Sequence, residues 1–192
     1  MKTIIRKSLL VAFMLGTLSS YATGTTLVDE KGTGKEVEIR TVKKGQLLYI
    51  KNSEGKVLHE KTVEINGTFE KAFDFTSLKN GYYTLEVNKD FQIEVIPFTV
   101  IAKKATFYTQ EEKTIFKPVI RTRDNRVMVS KLAFEETQMH VTIYFEGDII
   151  FKEKVEGENV LKRVYQLRKD IKGDYKVVMK ANDRTYINEF SL

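Results

Sequence analysis

The chain of 192 residues has no cysteine, no tryptophan, two prolines and two histidines. Without cysteine there is no disulfide framework, no thiolate metal site, no cysteine nucleophile and no attachment through a lipid-modified cysteine. Cohesion must come from packing. Long hydrophobic runs are missing too: the stretch Leu9 to Leu15 is far shorter than the ~20 residues that span a bilayer. No His-x-x-x-His, Gly-x-Ser-x-Gly or Walker-type run occurs. Gly32-Thr33-Gly34-Lys35 lacks the preceding strand and following helix that make a phosphate loop work. The acid pairs Asp29-Glu30, Glu111-Glu112 and Glu135-Glu136 are adjacent, so on a strand their members point to opposite faces. None has the alternating spacing of a calcium loop. His59 and His140 stand alone in strand-like surroundings and read as structural. The sequence thus supplies no catalytic constellation, no cofactor site and no metal site, and the expectation is a protein that is not an enzyme.

What is present begins with an export leader. Lys2, Arg6 and Lys7 form a basic start, Leu9 to Leu15 an apolar middle, and Ser20-Tyr21-Ala22 a cleavage-compatible end. Residues 1–22 are read as a signal peptide, leaving no transmembrane segment after cleavage. The leader carries three cations and no acid, so removing it takes the formal net charge from +6 to +3. A charge this small, with Lys and Glu interleaved as in Lys152-Glu153-Lys154, predicts no nucleic-acid footprint.

Alternation of period two dominates after residue 35, with turn signals at Asn52-Ser53-Glu54-Gly55, Asn66-Gly67 and Asp124-Asn125. The pattern also occurs twice. Displacing the sequence by 92 positions brings Gly55 onto Gly147, Val63 onto Val155, Gly81 onto Gly173, Tyr83 onto Tyr175 and Phe98 onto Phe190. Conservative pairs fill in between: Val57 with Ile149, Leu58 with Ile150, Leu85 with Val177, Val87 with Met179 and Val95 with Ile187. Strand alternation alone does not place a Gly-x-Tyr at one fixed distance from a turn glycine, nor a Phe seventeen residues past the second Gly, in both halves. Two copies of one small domain do. The fold class expected is all-β: two tandem immunoglobulin-like antiparallel β-sandwiches after the signal peptide. The boundaries are 23–101 for the first sandwich, 102–113 for a linker and 114–192 for the second. Positions apolar in both copies are expected in the two cores.

The run Asn52-Ser53-Glu54-Gly55-Lys56-Val57-Leu58, followed by Phe73-Asp74-Phe75-Thr76-Ser77-Leu78-Lys79-Asn80-Gly81-Tyr82-Tyr83-Thr84-Leu85-Glu86-Val87, resembles the C-terminal sorting domains of proteins exported by the type IX secretion system of Bacteroidota. It is also similar to related secreted β-sandwich domains from those bacteria. In the second copy Lys169-Asp170-Ile171-Lys172 stands where the first has Ser77-Leu78, and the Pro-Asn-Pro entry of the family is absent. The resemblance implies secretion and a sandwich fold, and implies no catalytic residues.

Alternation puts Tyr83 inward and Tyr82 outward, and sets Tyr49 and Tyr144 out of phase with their apolar neighbours. Tyr49, Tyr82 and Tyr144 are therefore the candidate surface-binding residues, for stacking on a sugar or anchoring a protein. The expected protein is an exported, non-catalytic interaction or envelope-associated module of the periplasm, cell surface or exterior, with an unknown protein or glycan partner and an unassigned oligomeric state. Two other readings stay open: a hydrolase using dispersed carboxylates at the domain junction, and a C-terminal copy acting as a type IX sorting signal.

Overall fold

A computed structural model describes residues 28–31, 36–71, 75–134 and 136–192. The leader, Gly32-Thr33-Gly34-Lys35, Phe73, Asp74 and Glu135 lie outside them. The described chain is all-β. Its first half contains β1 (Val28–Lys31), β2 (Glu36–Val42), β3 (Leu47–Asn52), β4 (Val57–Thr62), β5 (Gly67–Lys71), β6 (Gly81–Asn88), β7 (Gln92–Ile101), β8 (Lys104–Phe107) and β9 (Lys113–Phe116). The second half holds β10 (Val119–Arg123), β11 (Arg126–Ala133), β12 (Gln138–Phe145), β13 (Asp148–Glu156), β14 (Asn159–Gln166), β15 (Asp174–Ala181) and β16 (Arg184–Ser191). Sheets run β1-β2-β5 opposite β4-β3-β6-β7, extended along β7 by β8 and β9, in the first sandwich, and β10-β11-β14 opposite β13-β12-β15-β16 in the second. Every pairing is antiparallel. The two orders are the same when strands are matched across the 92-residue displacement, which is the duplication seen in three dimensions.

The turns follow from local chemistry. Gly55 and Gly147 take φ of 78° and 90°, a region open to glycine without steric cost, and each closes the hairpin from its sandwich's second strand pair. The Asn52 side chain accepts from the backbone N–H of Glu54 at 3.1 Å and of Lys56 at 2.9 Å, pinning the first of these turns. Alternation then fills two separate cores. Leu48, Ile50, Val63, Leu85, Val87 and Ile96 pack in one, and Val129, Val141, Ile143, Val155, Leu161 and Val177 in the other. Each such side chain contributes about 1.5–3 kcal/mol on leaving water, which is how a chain without disulfides holds together. Tyr83 and Tyr175 occupy the same place in their sandwiches. Each is buried and stacked on its partner across the final hairpin, Phe98 or Phe190, with ring centroids 5.5 Å apart in both cases. Tyr83 also donates its hydroxyl hydrogen to the Lys79 carbonyl at 2.7 Å, fixing the corner before β6.

Not every shared apolar position is core. Val57 and Leu58, with their counterparts Ile149 and Ile150, lie exposed, and Ile187, the counterpart of Val95, is 62% exposed. The first two pairs begin β4 and β13, which have a neighbour on one side only and a register shift there, against β3 between Ile50 and Lys51 and against β12 between Ile143 and Tyr144. Ile187 faces outward on β16. Apolar residues are kept at these sites by strand propensity, not by burial.

The segment between the cores is strand for much of its length. β8 pairs with the end of β7 and β9 with its beginning, so residues 104–116 run along one edge of β7, interrupted by a 3₁₀ turn at Thr109–Glu111. Phe107 stacks on Phe98 at 4.8 Å and meets Phe75 edge-on at 5.9 Å, which ties β8 to the first core. The ladder breaks at Lys117-Pro118, and β10 starts the second sandwich.

Candidate functional site

A cleft of about 490 Å³ lies where the start of β16 meets the outer face of the first sandwich. Its centre is Glu86. On β6 the apolar residues Leu85 and Val87 turn inward, so Glu86 between them faces out, opposite Tyr49 on β3. It is nonetheless only 4% exposed, because two cations cover it. Lys51, two residues beyond Tyr49 on the same face, places its ammonium 2.7 Å from Oε2. Arg184, the first residue of β16, donates from Nη2 to Oε1 at 2.6 Å and from Nη1 to Oε2 at 3.1 Å. This forked geometry is the strong form of carboxylate recognition, and here it joins the two sandwiches. Burial pushes the Glu86 carboxyl up, but the hydrogen bonds and charges of Arg184 and Lys51 outweigh it and hold the group below the ordinary carboxylate range.

Around this clamp stand Tyr49, Ile93, Lys117 and Tyr186. Burial lowers the Lys117 ammonium, with Asp90 acting against that and Arg184 adding to it. Burial likewise raises the Tyr186 hydroxyl. The lining holds one carboxylate, and that one is ionised and paired. A glycosidase-type site needs two acids, one of them with a raised pKa; among the described residues no second acid lines the cleft beside Glu86. Glu112 is raised, by burial first and by the charge of Glu94 second, but neither of those residues lines the cleft. Among the described residues no group of three or more His, Asp and Glu side chains is placed to hold a metal ion, and no helix is long and apolar enough to cross a membrane.

The three tyrosines singled out from the sequence fall in three places. Tyr49 lines the junction cleft. Tyr144 lines a hollow of about 450 Å³ on the second sandwich, with the Lys176 ammonium 4.6 Å from its ring centre. Tyr82 is 74% exposed and lines neither. His59 and His140 are exposed on β4 and β12, away from the cleft. Glu86, Lys51 and Arg184 were not among the residues expected, although the duplication marks them. Their counterparts are Val178, Tyr144 (after a one-residue deletion in the second copy's turn) and Gln92, so each of the three positions changes chemistry between the copies.

Residues 27–101 match the family model of the secretion system C-terminal sorting domain. The match falls on the first sandwich. It is the likeness that the Gly55 turn and the Gly81-Tyr82-Tyr83 corner carry in the sequence. No curated protein matches the chain. Among solved structures, similarity is found to the BSP domain of a biofilm-associated protein (12% identity, 88% of this chain and 29% of that one, TM-score 0.30). A marsupial T cell receptor also aligns (12% identity, 88% and 62%, TM-score 0.31), as do extracellular domains 3–5 of Drosophila OTK (7%, 83% and 92%, TM-score 0.21). The chain spans less than a third of the length of the biofilm-associated protein.

Proposed function

We propose that this chain is an exported, non-catalytic interaction module of the cell envelope or exterior, made of a leader (1–22), a first sandwich (23–101), a connecting segment (102–113) and a second sandwich (114–192). The observation that carries this reading is the match of residues 27–101 to a secretion sorting domain. The junction supports it as well: Glu86 is committed to an ion clamp between sandwiches, a role in holding shape and not in chemistry. Tyr49 in the cleft and Tyr144 in its hollow are the proposed contact points for a protein or glycan partner, with Tyr82 a third, isolated one. A glycan array and a partner pull-down on the full mature chain test this, with Tyr49→Ala and Tyr144→Ala as the informative variants. Retention of a partner that either variant loses is the expected result. Silence in both assays together with substrate turnover overturns it.

A sorting role has its own support, since the second sandwich repeats the topology of the matched one. Deleting residues 114–192 and following the protein by cell fractionation separates the two readings. Arrest inside the envelope favours a sorting signal in the second sandwich; normal export removes it.

A further inference from the structure

The outer face of the β10-β11-β14 sheet carries charge of one sign. The three strands, Val-Ile-Arg-Thr-Arg, Arg-Val-Met-Val-Ser-Lys-Leu-Ala and Asn-Val-Leu-Lys-Arg-Val-Tyr-Gln, contain six cations and no carboxylate. Val127, Val129 and Leu161 turn inward, so alternation sends Arg121, Arg126, Lys162, Leu132, Val160 and Val164 outward. The register interleaves them: Arg121 lies opposite Met128 and, one strand on, Val164, while Lys162 lies opposite Ser130 and then Val119. Val164 is 63% exposed, and Val160 and Leu132 are also in the open. Arg121, Lys162 and Val164, with Val119, Met128 and Ser130, line a shallow groove of about 670 Å³, and Arg126, Val160 and Leu132 extend the same face beyond it.

The charges are available. Arg163, at the sheet's flank, is taken by Glu153 at 2.8 Å, and Arg123 sits 3.5 Å from Asp124. Arg126 donates only to the neutral Gln166 amide, and among the described residues neither Arg121 nor Lys162 has an ion pair. Arg121 and Lys162 stand on the two outer strands with β11 between them. Two strand spacings and a two-residue offset along the strands put their Cα atoms roughly 12 Å apart, too far to converge on one phosphate and suited to two neighbouring ones. Aliphatic side chains fill the interval. A soluble anion would leave those side chains wet; a neutral apolar partner would leave the cations unmatched. The surface that answers both is a layer of amphiphiles with anionic headgroups.

We propose that this face docks flat on an anionic lipid surface, Arg121, Arg126 and Lys162 reaching phosphate groups while Val160, Val164 and Leu132 press into the acyl boundary. The proposal stands apart from the partner-binding role of the tyrosines and from sorting.

Co-sedimentation of the full mature chain with vesicles tests it, using phosphatidylcholine alone and phosphatidylcholine with phosphatidylglycerol. The expected result is binding to the mixed vesicles only, weakening as salt rises. Arg121→Gln with Lys162→Gln should lower that binding roughly thirty-fold, at about five-fold per cation. Val164→Ser should lower it at unchanged salt dependence, and Lys180→Gln on the opposite sheet should leave it alone. All four positions are exposed, and a thermal melt confirms that each variant is folded. Equal binding to neutral vesicles, no binding to either kind, or an unaffected double variant overturns the proposal. So does poly-glutamate binding as tight as vesicle binding and indifferent to Val164→Ser, because the occupant is then an acidic polypeptide.

Discussion

The two sandwiches share one plan and one set of core positions, yet treat the same outer surface in opposite ways. In the first, the middle of the larger sheet's outer face holds an ionised carboxylate, Glu86, sealed beneath Lys51 and an arginine sent from the other half. In the second, that position is Val178, half-buried on the same face. The last strand differs in the same sense: β7 carries β8 and β9 along its edge, whereas β16 pairs with β15 alone among the described strands. Duplication has kept most of what packs and changed the chemistry at several positions that face out. The positions that say something about role are therefore those where the copies disagree.

The sharpest way to break that comparison is at the clamp. Glu86→Ala leaves two largely covered cations facing each other without their carboxylate, a loss of about 3 kcal/mol in chemical denaturation; Val178→Ala at the equivalent place should cost about 1 kcal/mol or less. Equal losses would mean that the junction is not held electrostatically. Acid sharpens the same point. The folded chain holds Glu86 below the ordinary value of 4.5, so its pairing stabilises above that pH and is lost as pH falls through the folded value. The gap between wild type and Glu86→Gln should accordingly close in acid.

Glycines come next. A Cβ on Gly173 would run into the Glu146 carboxylate and sit 2.7 Å from the Phe145 ring, at a φ of 151°. On Gly81 it would meet only the Tyr83 ring, at an ordinary 3.7 Å. Gly173→Ala is expected to cost about 2–3 kcal/mol and Gly81→Ala under about 1 kcal/mol, read from denaturation midpoints. Smaller still is the corner bond. Tyr83→Phe removes the hydroxyl held by Lys79 and should cost about 1 kcal/mol, while Tyr175→Phe, with no equivalent bond among the described residues, should be near neutral. Smallest of all is Glu112→Gln. Burial and Glu94 hold this carboxyl above its ordinary value, so its contribution is complete below pH 4.5 and declines as pH rises through the folded value. The substitution should help slightly at neutral pH and make no difference in acid.

Much of the architecture was legible because alternation and turn chemistry are local. Tyr83 and Tyr175, the Gly55 and Gly147 turns, and the inward sets on β6 and β15 all follow from period two plus the internal repeat. What period two does not report is which strands have two neighbours. Val57, Leu58, Ile149 and Ile150 look like core by composition and are exposed by position, since β4 and β13 are edges. The clamp was hidden for another reason. Glu86 and Arg184 are 98 residues apart and meet only once both sandwiches are formed and docked. The cationic sheet face was likewise invisible as a feature until β10, β11 and β14 were seen to be neighbours, because in sequence their arginines and lysines are mixed with acids from elsewhere.

The strip of chain between the sandwiches has one more consequence. Its backbone is occupied in β8 and β9, Lys117 donates to the Phe91 carbonyl at 2.9 Å, and Pro118 follows at once. A protease must draw an extended stretch of chain into its cleft, and most of this strip can supply one only by first peeling from β7. Outside the cell, where such enzymes are abundant, cutting there should be slow, and the two halves should persist as one unbroken polypeptide.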